Sequence, residues 1–142
     1  MIAIGSDHNG FEMKEQLKKW FEANGIKWTD EGNTALDKDD DYPVYAKAVA
    51  DAVSSGRADR GVLICGTGIG MMICANRTSG VRAVNSTDEF SVMRSRLHND
   101  ANVICLGASV VSLETAERLI DVFLNTKFEG GRHQRRLDMI DG

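Results

Sequence analysis

A short, almost uniformly apolar run, Gly61 to Cys65, is followed directly by the glycine-rich sequence Gly66-Thr67-Gly68-Ile69-Gly70. Runs of this length and composition are typical of strands that are covered by helices on both faces. Such strands occur in parallel sheets, because parallel neighbours need long, usually helical connections. The sequence therefore predicts an α/β fold.

The same alternation of strand and helix extends along the whole chain. Helical patterns are predicted from about Asn9, Pro43, Met71, Asp88 and Ser112, between or after four further strands at Ile2–Ile4, Ile26–Thr29, Val81–Val84 and Asn102–Leu106. Right-handed crossovers then place helices on both faces of a five-stranded parallel sheet. We expect one Rossmann-like domain over 1–142, a three-layer α/β/α sandwich, with a C-terminal helical arm after Gly130-Gly131.

Two local patterns near the first and second helices carry narrower predictions. Asn9, with Glu12 three residues later, predicts a capping box at the start of the first helix. The acidic loop Asp37 to Asp41, which leads to Pro43, is expected to be solvated or to cap the following helix.

Composition excludes several classes of partner. The net charge is -4 at pH 7, without long Lys/Arg runs, which argues against nucleic acid or an anionic membrane as the main partner. No apolar run approaches the roughly 18 residues of a membrane span, and the first residues do not resemble a signal peptide. The three cysteines form no C-x-x-C pair, which argues against a disulfide framework. We expect a cytoplasmic protein with reduced thiols.

The glycine-rich sequence 66–70 indicates a site for a negatively charged oxygen. Clustered backbone N–H groups without Cβ atoms can surround an anion. The loop does not match a P-loop or G-x-G-x-x-G, and no arginine follows Cys65 at the spacing of a phosphatase loop. The remaining use is an oxyanion hole for charge that develops on a carbonyl oxygen.

Cys65 precedes this loop and is a candidate base, because the start of the next helix favours a thiolate there. The alternative is a small buried side chain that ends a core strand, which is the expected role of Cys74 and Cys105.

Two other groups of residues are candidates for binding. Asp7 and His8 end the first strand, so they are expected at the same sheet edge as Cys65, although Asp7 could simply cap a helix. His98 precedes the fifth strand and is therefore expected near the opposite edge, unless a second subunit brings it across. Arg132 and Arg136 lie four residues apart and suit an anion, or form a solvated helix face. The spacing of the histidines predicts no metal site.

Four segments together resemble the ribose/galactose isomerase family, of the ribose-5-phosphate isomerase B type, which also includes allose and galactose 6-phosphate isomerases. They are Gly5-Ser6-Asp7-His8-x-Gly10, Cys65-Gly66-Thr67-Gly68-Ile69-Gly70, His98-Asn99-Asp100-Ala101-Asn102-Val103 and Glu129-Gly130-Gly131-Arg132-His133. They occur in the family's order and span nearly the whole chain.

The resemblance implies a homodimer, or a dimer of dimers, with active sites shared between subunits and no metal or cofactor. It implies that Cys65 moves a proton between C1 and C2 of a sugar phosphate through an enediolate, with Thr67 as a polar helper. Gly66, Gly68, Ile69 and Gly70 would hold the oxyanion in this scheme. His98 would assist ring opening, and the remaining substrate contacts would come from Asp7, His8, Asn99, Arg132 and Arg136.

One position departs from the family pattern. Ser109 stands where members that use ribose 5-phosphate commonly carry a phosphate-binding arginine. The sequence therefore leaves open the same isomerisation on another substrate: allose or galactose 6-phosphate, a tetrose phosphate or a free sugar. A non-catalytic subunit that binds sugar phosphates is a further alternative.

Overall fold

The computed structural model describes residues 1–142 as a parallel sheet between two layers of helices. The five strands are β1 (Ile2–Ser6), β2 (Trp28–Asp30), β3 (Arg60–Cys65), β4 (Ala83–Asn85) and β5 (Val103–Gly107). The six helices are α1 (Phe11–Ala23), α2 (Tyr42–Ser54), α3 (Ile69–Ala75), α4 (Glu89–Asn99), α5 (Leu113–Asn125) and α6 (Arg132–Asp141). The strand order is β2-β1-β3-β5-β4, and every pair is parallel. The predicted three-layer α/β/α architecture is confirmed.

The core consists of two apolar clusters, one on each face of the sheet. One cluster joins alternate residues of β1, β3 and β5 to α1, α4 and α5, and includes Leu17, Phe21 and Phe123. The other joins the intervening strand residues to α2 and α3, and includes Val49 and Met71. Because side chains alternate along a strand, an apolar run such as 61–65 supplies both clusters at once.

Predicted element boundaries agree to within a few residues, with one local error. The capping box of Asn9 and Glu12 is wrong: Gly10 is the N-cap of α1 and no side chain caps the helix there. Asp7 instead binds the N–H groups just before α1: its Oδ1 accepts hydrogen bonds from the N–H groups of Asn9 at 3.0 Å and Gly10 at 3.2 Å. Helix α5 begins where predicted: Ser112 is its N-cap, and Ser112 Oγ accepts a hydrogen bond from Thr115 N–H.

None of the helices has the length and apolar character needed to cross a lipid bilayer.

Candidate active site

A cleft of about 440 Å³ opens at the carboxyl ends of β1 and β3. Its lining residues are Asp7, Asn9, Tyr42, Cys65, Gly66, Thr67, Ile69 and Gly70. This is the edge at which open parallel sheets bind ligands. The fold therefore brings six of the predicted site residues into one cavity.

Cys65 ends β3 and forms part of the cleft wall. Its Sγ accepts a hydrogen bond from the backbone N–H of Gly68 at 3.1 Å. The residue is only 7% exposed, yet it borders open space and is not sealed in the core. Gly68 has a left-handed backbone, φ 83°, which turns its N–H back toward the sulfur. The loop thus offers a donor to the thiolate, the form of cysteine that acts as base or nucleophile.

Three backbone N–H groups of the same loop have no hydrogen-bond partner within the chain. They belong to Gly66, Thr67 and Gly70, which all line the cleft. The N–H of Ile69, by contrast, donates to Thr67 Oγ1 at 3.3 Å. Free donors that face a cavity can bind an oxygen on which negative charge develops. The loop has the chemistry of the predicted oxyanion hole.

Asn85 holds this loop in place, a role that the sequence did not suggest. It ends the edge strand β4, and its Nδ2 donates to Cys105 O at 2.8 Å and to Thr67 O at 3.3 Å. An asparagine at the end of a short strand carries no signal of such a role, because only the tertiary fold places it beside the loop.

His8 stands between two cleft-lining residues, Asp7 and Asn9, and is paired with Asp40. His8 Nδ1 is 2.7 Å from Asp40 Oδ1, and the side chain of Asp40 is 2% exposed. The hydrogen bond that the ring donates to Asp40 raises the pKa of His8 above its ordinary 6.5, and the charge of Asp7 adds to this effect. Asp40 was expected to be solvated or to cap a helix; that prediction is wrong, because the loop folds inward onto His8.

The second group of predicted residues lies on α4 and α6. The ring of His98 stacks on the ring of His133, with 4.2 Å between centroids and 13° between planes. His133 is 4% exposed. Its pKa is lowered mainly by burial and next by the nearby His98. Arg132 and Arg136 are exposed on the same helix as His133. His133 is a further residue that the sequence did not single out.

Strand register separates these two groups within one chain. Cys65 pairs with Gly107 at the carboxyl end of β5, whereas His98 and Asn99 precede Val103 at its amino end. The four steps between Val103 and Gly107 span about 13 Å. Asn99 instead borders a different cleft, of about 460 Å³, beside α6. The expectation that His98 lies near the opposite sheet edge is confirmed.

Two clusters contain residue types that bind metals, but their geometry suits other roles. In the first, Asp7 Oδ1 and Asp40 Oδ1 already accept hydrogen bonds from N–H groups. In the second, the rings of His98 and His133 are nearly parallel, so their in-plane lone pairs cannot converge on one ion. That no metal takes part stays a prediction.

Comparison with known proteins places this geometry in a family. The sequence model of the Ribose/Galactose Isomerase family matches residues 2–140. Ribose-5-phosphate isomerase B of Escherichia coli is 44% identical over 139 residues, which cover 98% of this chain and 93% of that protein. The chain belongs to the ribose/galactose isomerase family.

Solved structures of relatives from this isomerase family have the same fold. Ribose-5-phosphate isomerase B of Clostridium thermocellum superposes with a TM-score of 0.95 at 41% identity, covering 99% of this chain and 94% of that one. The Mycoplasma genitalium enzyme, solved with bound ribulose 5-phosphate, gives a TM-score of 0.93 at 40% identity, with coverage of 99% and 93%. The predicted resemblance and the predicted isomerase class are confirmed.

Proposed function

We propose that this isomerase interconverts ribose 5-phosphate and ribulose 5-phosphate, with Cys65 as the base. The observation that carries the proposal is the juxtaposition of Cys65 Sγ with the unpaired amides of Gly66, Thr67 and Gly70 at one cleft. Family membership and the relative solved with ribulose 5-phosphate support the choice of substrate.

In the proposed reaction the bound aldose phosphate first opens its ring. His98 donates a proton to the ring oxygen as the bond from C1 to that oxygen breaks, and the C1 hydroxyl releases its proton to water, which leaves the aldehyde. Cys65 thiolate then takes the proton from C2, and the electron pair forms an enediolate whose negative oxygen lies against the loop amides. The same proton returns from the thiol to C1 while the hydroxyl proton of O2 passes to O1, so that C2=O2 forms, the thiolate is regenerated and the product is the ketose. Removal of a proton beside a carbonyl is difficult because of the enolate charge, so the amides contribute as much as the base.

The remaining site residues hold the substrate in this scheme. Asp7 contacts the sugar hydroxyls, while Thr67 and Asn99 supply polar contacts near the reacting carbons. The phosphate is bound by His8 together with Arg132 and Arg136, whose guanidinium groups form no ion pair with acidic residues of this chain.

The separation of Cys65 and His98 within one chain supports the proposal of a homodimer with shared sites. A second copy that places its α4 and α6 over the cleft would supply the missing His98, Asn99 and arginines. The surface beside the cleft suits such a contact, because Tyr42, Val44, Ile69 and Ile73 are 40–61% exposed. A dimer of dimers and a cytoplasmic location stay predictions.

The decisive assay is ketose formation from ribose 5-phosphate in the presence of EDTA. Cys65→Ala should lower kcat at least about 10³-fold while ribose 5-phosphate still binds. Cys74→Ala is the matched control, since Cys74 lies on α3 away from the cleft lining and should keep normal turnover. Near-normal rates in Cys65→Ala would contradict the assignment, whatever the control does.

Shared sites can be tested by mixing two inactive variants. Cys65→Ala and His98→Asn homodimers each lack one group at both sites, but a mixed dimer keeps one complete site. Activity should therefore reappear on mixing after reversible unfolding. If each site were built from one chain, the mixture would stay inactive.

Ser109 favours a second candidate substrate within the same chemistry. It is exposed beside the glycine loop, and its N–H donates to Gly66 O at 3.0 Å, so a neutral hydroxyl stands next to the cleft. A hexose 6-phosphate, a tetrose phosphate or a free sugar would then have the higher kcat/KM in a substrate panel. Exchange of solvent hydrogen into C2 separates all of these from a non-catalytic binder, which gives none.

A further inference from the structure

We propose that Asp40 is a positioning residue for the phosphate site: it fixes the ring of His8 so that Nε2 is presented to the substrate phosphate. This deepens the proposed function and rests on it, because the phosphate is assigned to His8 there. Asp40 belongs to the loop between β2 and α2, outside the glycine loop and outside α1.

Both carboxylate oxygens of Asp40 accept hydrogen bonds. Oδ1 accepts from the backbone N–H of His8 at 3.1 Å and lies 2.7 Å from His8 Nδ1. Oδ2 accepts from Asn33 Nδ2 at 3.2 Å. A carboxylate with three hydrogen bonds and 2% exposure is held in one place, so it can fix the group that it binds.

The same contacts leave His8 Nε2 as the group that can reach a ligand. Nδ1 is occupied by Asp40, and Nε2 forms no hydrogen bond within the chain. In the chain His8 stands between Asp7 and Asn9, and both of these neighbours line the cleft. With Nδ1–H bound to Asp40, a neutral ring offers only a lone pair at Nε2, whereas a protonated ring offers an N–H. A phosphate oxygen accepts hydrogen bonds, so only the protonated ring suits it.

The charges around His8 favour that protonated form. The carboxylates that face it are Asp40, Asp7 and Asp37. Together they raise the pKa of His8 from the ordinary 6.5, and the hydrogen bond that Asp40 accepts from the ring has the largest effect. Tyr45 of α2 also faces this group of carboxylates, but burial and the same charges raise its pKa, so it stays neutral. The cleft lining itself contains no lysine or arginine. Within one chain, His8 is therefore the cation available at the rim.

Asp40→Asn tests the proposal, with Asp39→Asn as the matched control. Asp39 lies in the same loop and is exposed, so its replacement removes the same charge without touching His8. At pH 8 we expect Asp40→Asn to raise KM for ribose 5-phosphate about tenfold, with kcat within twofold of the unchanged protein. The pH above which KM rises should shift downward, because His8 loses the partner that keeps it protonated. Asp39→Asn should leave both parameters unchanged.

Two results would overturn the proposal: an unchanged KM profile in folded Asp40→Asn, or equal changes in the two variants. If Asp40→Asn does not fold, the unchanged protein provides the test by NMR. Inorganic phosphate should raise the titration midpoint of the His8 ring, and no response of that ring would refute the assignment. This titration needs no turnover, so it separates failure of the phosphate assignment to His8, on which the role of Asp40 rests, from failure of the isomerase function.

Discussion

Replacing Gly68 by alanine should disable the site and destabilise the fold at the same time. The backbone of Gly68 has φ 83°, a conformation that costs an L-residue about 1–2 kcal/mol. An added Cβ would clash with Asn85 Nδ2 and would lie 3.0 Å from the carbonyl carbon of Leu106. Asn85 would have to move, and its hydrogen bonds to Cys105 O and Thr67 O would be lost, at about 1 kcal/mol each.

The sum is a loss of about 3–4 kcal/mol, a large part of the 5–15 kcal/mol that is typical of a folded domain. Urea unfolding followed by circular dichroism measures it directly. Because the strained loop would also withdraw its N–H from Cys65 Sγ, kcat should fall about 10²-fold in the protein that remains folded.

Gly66→Ala is the matched control for stability. Its Cβ would find its nearest neighbours at 3.8–4.0 Å, in ordinary contact with Asn9 and Ser109. The free energy of unfolding should change by less than about 0.5 kcal/mol. A Gly68→Ala protein with unchanged stability and unchanged kcat would refute the account of the loop.

Two further predictions concern the scaffold. Asp30→Asn should lower the free energy of unfolding by about 3 kcal/mol at pH 7, because it removes the counter-ion of the fully buried Lys14 at 2.6 Å. Burial alone would raise the pKa of Asp30, but hydrogen bonds from Lys14 and Lys18 outweigh it and lower the pKa. The stabilisation is therefore present above the unfolded pKa of about 3.9 and is lost as pH falls through the folded value, so acid unfolding should be steeper in the unchanged protein than in Asp30→Asn. Ser112→Ala should cost about 1 kcal/mol in urea unfolding, since it removes the cap of the N–H of Thr115; no measurable change would show that water replaces the cap.

The boundaries that the sequence missed have physical causes. Helix α3 was predicted from Met71 but begins at Ile69. Gly70 is a poor helix former, so the sequence argued against a helix there. In the fold, the ring of Tyr42 packs closely against Gly70, which leaves no room for a side chain at that position. Strand β4 was predicted at Val81–Val84 but lies at Ala83–Asn85. An apolar residue that precedes a strand in the chain can pack into the same core as the strand. Hydrophobicity therefore does not mark the residue at which hydrogen bonding to the neighbouring strand starts.

The sequence by itself determined the parallel α/β fold, the cysteine with its glycine loop and the family. These depend on local chain properties: apolar runs, helix periodicity and short segments in which neighbouring residues act together. Only the tertiary structure decided that Asp40 holds His8, that Asn85 holds the loop, and that His98 stacks on His133 away from Cys65. Those contacts join residues 18 to 35 positions apart, and strand register sets the distance between Cys65 and His98; no local pattern encodes either.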